Sequence, residues 1–237
     1  PVDPEALHRA REAVRRALAA AHEATLVRLY DEHHDAGPYR VEKADIDRRR
    51  VKNAALSLLA DLGEAHAQRA DAQLRGATNM TDAQAALSVL VDVGGRLGEA
   101  AVADFHAQCK DDPLVPDKWF AVHAPSRHPD TLERVIALRG HPDFTLDNPN
   151  RARSLVGAFA MNMARFHDPS GRGYTFLAEQ VEALHGKNPQ LAARLVSGLN
   201  AWKRFEPGRR ARMRAELERP AAIDGPSNAL SEIVHRA

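Results

Sequence analysis

The stretch His22-Glu23-Ala24-Thr25-Leu26 comes within one letter of a zinc-peptidase motif. H-E-x-x-H on a helix sets two imidazoles one turn apart to grip the metal, with the glutamate as general base. Here Leu26 stands where the second imidazole belongs, and it cannot bind a metal. His22 therefore reads as a helix histidine at or near the surface, with Leu18, Thr25, Leu26 and Leu29 as the buried side. His33-His34-Asp35 precede Gly37-Pro38, as at a helix end, where the dipole favours cations. His106 and Cys109 are i, i+3 in FHAQCK. That spacing could pair a thiolate with an imidazole, but a buried thiol beside a helical histidine is the simpler reading. DPSGRGY contains G-x-G at Gly171 and Gly173, with no preceding strand, third glycine or Lys-Ser/Thr. A turn feeding a helix from Tyr174 explains it better than a phosphate cradle. Arg48-Arg49-Arg50 and Arg209, Arg210, Arg212 and Arg214 could form basic patches, but Asp45, Asp47, Glu216 and Glu218 lie close by. Solvated ion-pair faces are expected there.

Two helices carry more information. In NPQLAARLVSGLNAW, Gln190 and Arg194 are i, i+4 and share a face beside the stripe Leu191, Leu195, Leu199 and Trp202. In NPNRARSLVGAFA, Arg153 heads a row through Gly157 and Ala160, while Leu155, Val156 and Phe159 point to the core. Small residues in that row let another element approach closely. By physics alone both are polar rims of amphipathic helices.

Those helices belong to a chain that is helical throughout. Asp3-Pro4-Glu5, Asn148-Pro149 and Asn188-Pro189 are N-cap-plus-proline starts. Thr81 and Gln84 have capping-box spacing. Gly94-Gly95, Gly140 and Gly186 sit where helices should stop. Val51, Ala55, Leu58 and Leu62 form one expected core face. Period-two alternation is almost absent. The expectation is an all-α fold of roughly a dozen helices of about 10–18 residues with short connections, stacked as a superhelical array of antiparallel pairs, an α-solenoid-like arc. Residues 1–237 are expected to form one domain, with loops at 111–116 and 168–173.

Composition narrows the function class. Thirty-three Lys+Arg meet 32 Asp+Glu, so no net field draws this chain to nucleic acid or an anionic membrane. No run of about 18 apolar residues offers a membrane span. Cys109 is the only cysteine, so no internal disulfide forms and a reducing, cytoplasmic location is expected. The opening on Pro1 suggests a piece of a longer polypeptide. From these features alone, a helical scaffold binding a protein along a concave surface remains a reading.

Five strings in order, TNMTDAQAAL, LVPDKWF, HPDFTLDNPNRARSLVGAF, FHDPSGRGYTFLAEQV and NPQLAARLVSGLNAWKRF, resemble the C-terminal domain of bacterial aminopeptidase N, a gluzincin-type zinc peptidase family. The resemblance covers nearly the whole chain. AMNMARFH and Pro116 depart from the family's usual pattern, which bears on local loop shape. The resemblance implies a non-catalytic helical domain that covers the catalytic domain of the same polypeptide, closes a large cavity and gates access of peptides. It implies zinc in that catalytic domain and no cofactor in this chain. It also implies that Arg153, Gln190 and Arg194 border the substrate cleft, where arginine forks could meet peptide carbonyls or a carboxylate.

Overall fold

The computed structural model describes residues 1–35, 37–109, 112 and 115–220. Among the described residues the fold is all-α, and the only extended pairing is an isolated bridge between Val2 and Phe205. The chain divides into two compact units, Arg9–Val115 and Pro1–His8 with Pro116 onward.

In the first unit α1 (Pro4–Ala21), which starts in the other unit, is followed by α2 (Glu23–Glu32), α3 (Lys43–Leu59), α4 (Glu64–Gly76), α5 (Met80–Val93) and α6 (Gly95–Cys109). Neighbours in sequence pack as pairs: α2 on α3, α4 on α5, α5 on α6. Asp3 caps α1, accepting from the Glu5 and Ala6 amides at 3.0 and 3.2 Å. Gly94 ends α5 at φ 69°, a conformation that favours glycine.

Three local expectations shift. The buried residues of α3 are Asp45, Lys52, Ala55, Leu56 and Leu59, while Val51 is exposed and Leu58 and Leu62 are half-buried. The helix is rotated about its axis because Lys52 enters the core to meet Asp82 at 2.7 Å. The cap of α5 is Asn79, not Thr81: its Oδ1 accepts from the Asp82 amide at 2.9 Å and its Nδ2 donates to the Asp82 carboxylate at 3.1 Å. That is the same reciprocal i, i+3 logic, two residues earlier. Finally, His22 occupies the turn between α1 and α2, exposed. The break resets the helical phase, so Leu18 and Thr25 are exposed and Ala19 and Tyr30 are the buried residues instead.

The second unit holds α7 (Val115–His123), α8 (Thr131–Arg139), α9 (Pro149–Ala152), a π-wound turn (Arg153–Gly157), α10 (Ala158–Ala160), α11 (Arg172–His185), α12 (Pro189–Val196), a 3₁₀ stretch (Ser197–Arg204) and α13 (Pro207–Glu218). Several are shorter than expected, with nine residues each in α7 and α8 and eight in α12. Pro116 sits in the first turn of α7, where a missing amide is harmless. A chain of edge-on rings fills the interior: Phe159 with Phe166 and Phe176 at 5.8 and 5.9 Å, and Phe166 with Tyr174 at 5.2 Å. The DPSGRGY segment is a turn that feeds α11, starting at Arg172 rather than Tyr174. Gly173 is required there, because a Cβ would stand 2.4 Å from the Phe166 carbonyl oxygen.

Candidate functional site

Asn148 starts the helix that carries Arg153, its Oδ1 accepting from the Asn150 and Arg151 amides at 2.9 and 3.3 Å. Pro149–Ala152, Arg153–Gly157 and Ala158–Ala160 then run on without interruption, and the middle segment is π-wound from Arg153. Such turns interrupt the regular ladder and recur at functional positions. Leu155, Val156 and Phe159 are buried as expected. Asn188 starts α12 in the same way, accepting from the Leu191 amide at 3.0 Å. Leu191, Leu195 and Leu199 are buried and Trp202 is half-buried.

Arg153 and Arg194 are brought together by these two helices on one open pocket of about 480 Å³. Its floor is made of small residues, among them Gly157, Ala160 and Gly198. They allow close approach: a Cβ on Gly198 would meet the Ala160 Cβ at 3.3 Å, and one on Gly157 would meet Leu195 Cδ2 at 3.5 Å. The small-residue row read from the sequence thus serves as expected. Arg153 Nε donates to the Pro149 carbonyl at 3.0 Å, and among the described residues neither guanidinium reaches a carboxylate. The pocket thus presents two guanidiniums whose forks remain available to carbonyl or carboxylate oxygens.

Gln190 is exposed one turn before Arg194 and is not among the residues lining that pocket. Sequence reading missed four residues that do line it: Ala158, Met161, 81% exposed, Ser197 and Gly198. Gly198 could have been noticed as a small residue facing Ala160. The switch from α to 3₁₀ winding at Ser197, which sets its facing, has no signature in the letters.

The remaining candidates fall out. His33 caps the end of α2, its Nδ1 2.8 Å from the Leu29 carbonyl. The Cys109 side chain lies outside the described residues. Arg214 pairs with Glu218 at 2.7 Å on a solvated face as expected, whereas Arg48 pairs at 2.6 Å with an Asp45 that is buried rather than solvated. Arg209 departs from that expectation. It is 5% exposed, donates Nε to the His167 carbonyl at 2.6 Å and meets Glu206 at 3.2 Å. It is a structural tie from α13 to the turn before α11, not a solvated cation.

A family described as a domain of unknown function (DUF3458_C), ARM repeats, matches residues 1–237. Armadillo repeats are stacked helices, the class expected from the sequence. Aminopeptidase N of Caulobacter vibrioides is 44% identical over 237 residues, 99% of this chain and 28% of the relative. Aminopeptidase N of Escherichia coli is 40% identical over 239 residues, 100% of this chain and 27% of the relative. The crystal structure of Legionella pneumophila aminopeptidase A in complex with aspartic acid is similar with a TM-score of 0.89 at 28% identity, covering 99% of this chain and 29% of that one. The chain thus spans under a third of the length of the relatives it matches. It belongs to the DUF3458_C ARM-repeat family, the C-terminal domain of aminopeptidase N.

Proposed function

We propose that residues 1–237 act as one non-catalytic cap domain of a zinc aminopeptidase, closing the cavity over the active site and gating entry of peptides. Arg153 and Arg194 line the cleft side of that cap, with Gln190 one turn away at the edge. The observation that carries this reading is the pair of arginines without carboxylate partners on a small-residue floor. Two arginines without an acid partner, both lining one recess, suit an external anion or a row of peptide carbonyls. The only His-Glu pair in the chain is followed by Leu26, so the ligand set of a zincin is not built from this segment. Zinc and the bond-breaking groups belong to the remainder of the polypeptide, as does the partner surface, and the enzyme works in the cytoplasm on peptides.

The test uses the full-length enzyme. Charge reversal at Arg153 and Arg194 should raise KM for peptides with a free C-terminal carboxylate by about tenfold. It should leave kcat/KM for a leucyl anilide nearly unchanged. Equal effects on both substrates, or none on either, refute the assignment of these arginines. Turnover and stoichiometric zinc in the isolated 237-residue chain refute the non-catalytic reading.

A further inference from the structure

The first helix is turned inside out. His8, Glu12 and Arg15 are half-buried and Ala19 is buried, and at i, i+4, i+7 and i+11 they share one side of α1. Arg15 ties that polar side to α3, donating Nε to Asp61 at 2.9 Å and a second nitrogen to the Ser57 carbonyl at 2.8 Å. The apolar side faces water. Leu7, Val14 and Leu18, at i, i+7 and i+11, are 49%, 58% and 49% exposed, and Ala10, Ala17 and Ala21 beside them are exposed as well. A surface helix of a globular protein does the reverse, burying its apolar stripe and showing its charges. α13 obeys that rule: Met213 and Leu217 are buried, while Arg212, Arg214 and Glu218 are exposed. A polar outer surface of that kind closes a row of stacked helices, and α1 lacks it.

We propose that the apolar face of α1 is the seat of a further helix of the same polypeptide, one that precedes Pro1 in the full-length enzyme and adds the next layer of the helical array. In the aminopeptidase N relatives this segment is the C-terminal domain and makes up 28% and 27% of the length, so ample chain lies ahead of it there. Stacked-helix repeats bury their apolar faces only against neighbouring repeats. The alanines of α1 let a covering helix approach closely, while Leu7, Val14 and Leu18 supply a ridge at helical spacing. A second copy of this chain is the poorer occupant. α1 carries four arginines against two glutamates, so two such helices would bring like charges together. Arg11, exposed at the edge of the stripe, instead suits an acid on the covering helix. The recess of Arg153 and Arg194 plays no part in this, so its substrate test can fail without touching the seat on α1.

The experiment is site-specific photocrosslinking in the full-length enzyme, with p-benzoylphenylalanine in place of Val14 and, separately, of Leu18, read by mass spectrometry after digestion. Each probe should crosslink within its own polypeptide to a helix lying within about 50 residues before Pro1, the length of one such repeat. The two crosslinked positions should fall about one turn apart, as Val14 and Leu18 do. In the same enzyme Val14→Asp should lower the melting temperature by several degrees, whereas Arg16→Asp, exposed on the same helix but off the stripe, should not. A crosslink to a second copy, to a more distant part of the polypeptide or to nothing overturns the proposal. So does equal thermal behaviour of the two variants.

Discussion

Two buried sites, one in each compact unit, treat a titratable side chain in opposite ways. In the unit Arg9–Val115 the buried pair is ionised. Lys52 and Asp82 are 2% and 5% exposed and meet at 2.7 Å, and Asn53 and Asn79 add donors to the carboxylate at 2.9 and 3.1 Å. Burial pushes the Asp82 carboxyl up, but those hydrogen bonds outweigh it and the group lies below its ordinary value. In the second unit Arg151 and Arg209 are also buried as paired charges, but two buried imidazoles are held neutral. His123 stands edge-on to Trp119 at 5.2 Å, and neither ring nitrogen has a hydrogen-bond partner. Burial first, and the charge of Arg134 second, push it down to about 4. His167 stacks on Phe205 at 4.3 Å, and its Nδ1 lies 3.0 Å from the Tyr174 hydroxyl. Burial, then the charge of Arg209, bring it to about 4 as well. A buried titratable group stays charged only where a counter-charge and extra donors are built around it; otherwise it sheds the charge.

Four measurements sharpen or break that contrast. The largest effect belongs to Asp82→Ala, which leaves a buried ammonium unpaired and should remove about 3–5 kcal/mol of stability in urea denaturation. Replacing both partners, Lys52→Met with Asp82→Leu, should recover most of that loss. A single substitution that costs less than about 1 kcal/mol would remove the ionised pair from the account.

Next comes pH. In the unfolded chain an imidazole titrates near 6.5, in the fold these two titrate at about 4. Between those values the unfolded chain takes up protons that the fold refuses. Stability is therefore full above about pH 6.5 and declines as pH falls towards 4, by about 3 kcal/mol for each group. His123→Leu should flatten the profile in that window. An unchanged slope would show that His123 does not stay neutral in the fold.

Two glycines give a smaller contrast. Gly173→Ala forces a Cβ against the Phe166 carbonyl and should cost about 1–3 kcal/mol. Gly76→Ala meets open space at the end of α4 and should gain about 0.5–1 kcal/mol. Thermal melts of the two variants should move in opposite directions.

The smallest effect is Asn148→Ala, which removes the cap of the helix bearing Arg153 and should cost about 1 kcal/mol. A matching loss at Asn188→Ala is expected, since that cap holds α12 by the same bond.

Helix content, the proline-started caps at Asp3, Asn148 and Asn188, and the apolar faces of Leu155–Phe159 and Leu191–Leu199 were written in the sequence. They rest on interactions within one or two turns, which local letters specify. The i, i+4 relation of Gln190 and Arg194 was equally legible. Its pocket was not: Arg153 and Arg194 are far apart in the chain, and only the close packing of Gly198 on Ala160 puts them over one recess. The burial of Lys52, His123 and Arg209 was invisible for a related reason. Whether a polar side chain goes inside depends on what packs around it, and much of that arrives from segments distant in sequence. Propensity and periodicity thus determined which segments are helices, while tertiary packing decided how each is rotated and which charges survive inside, because those free energies come from contacts distant in sequence.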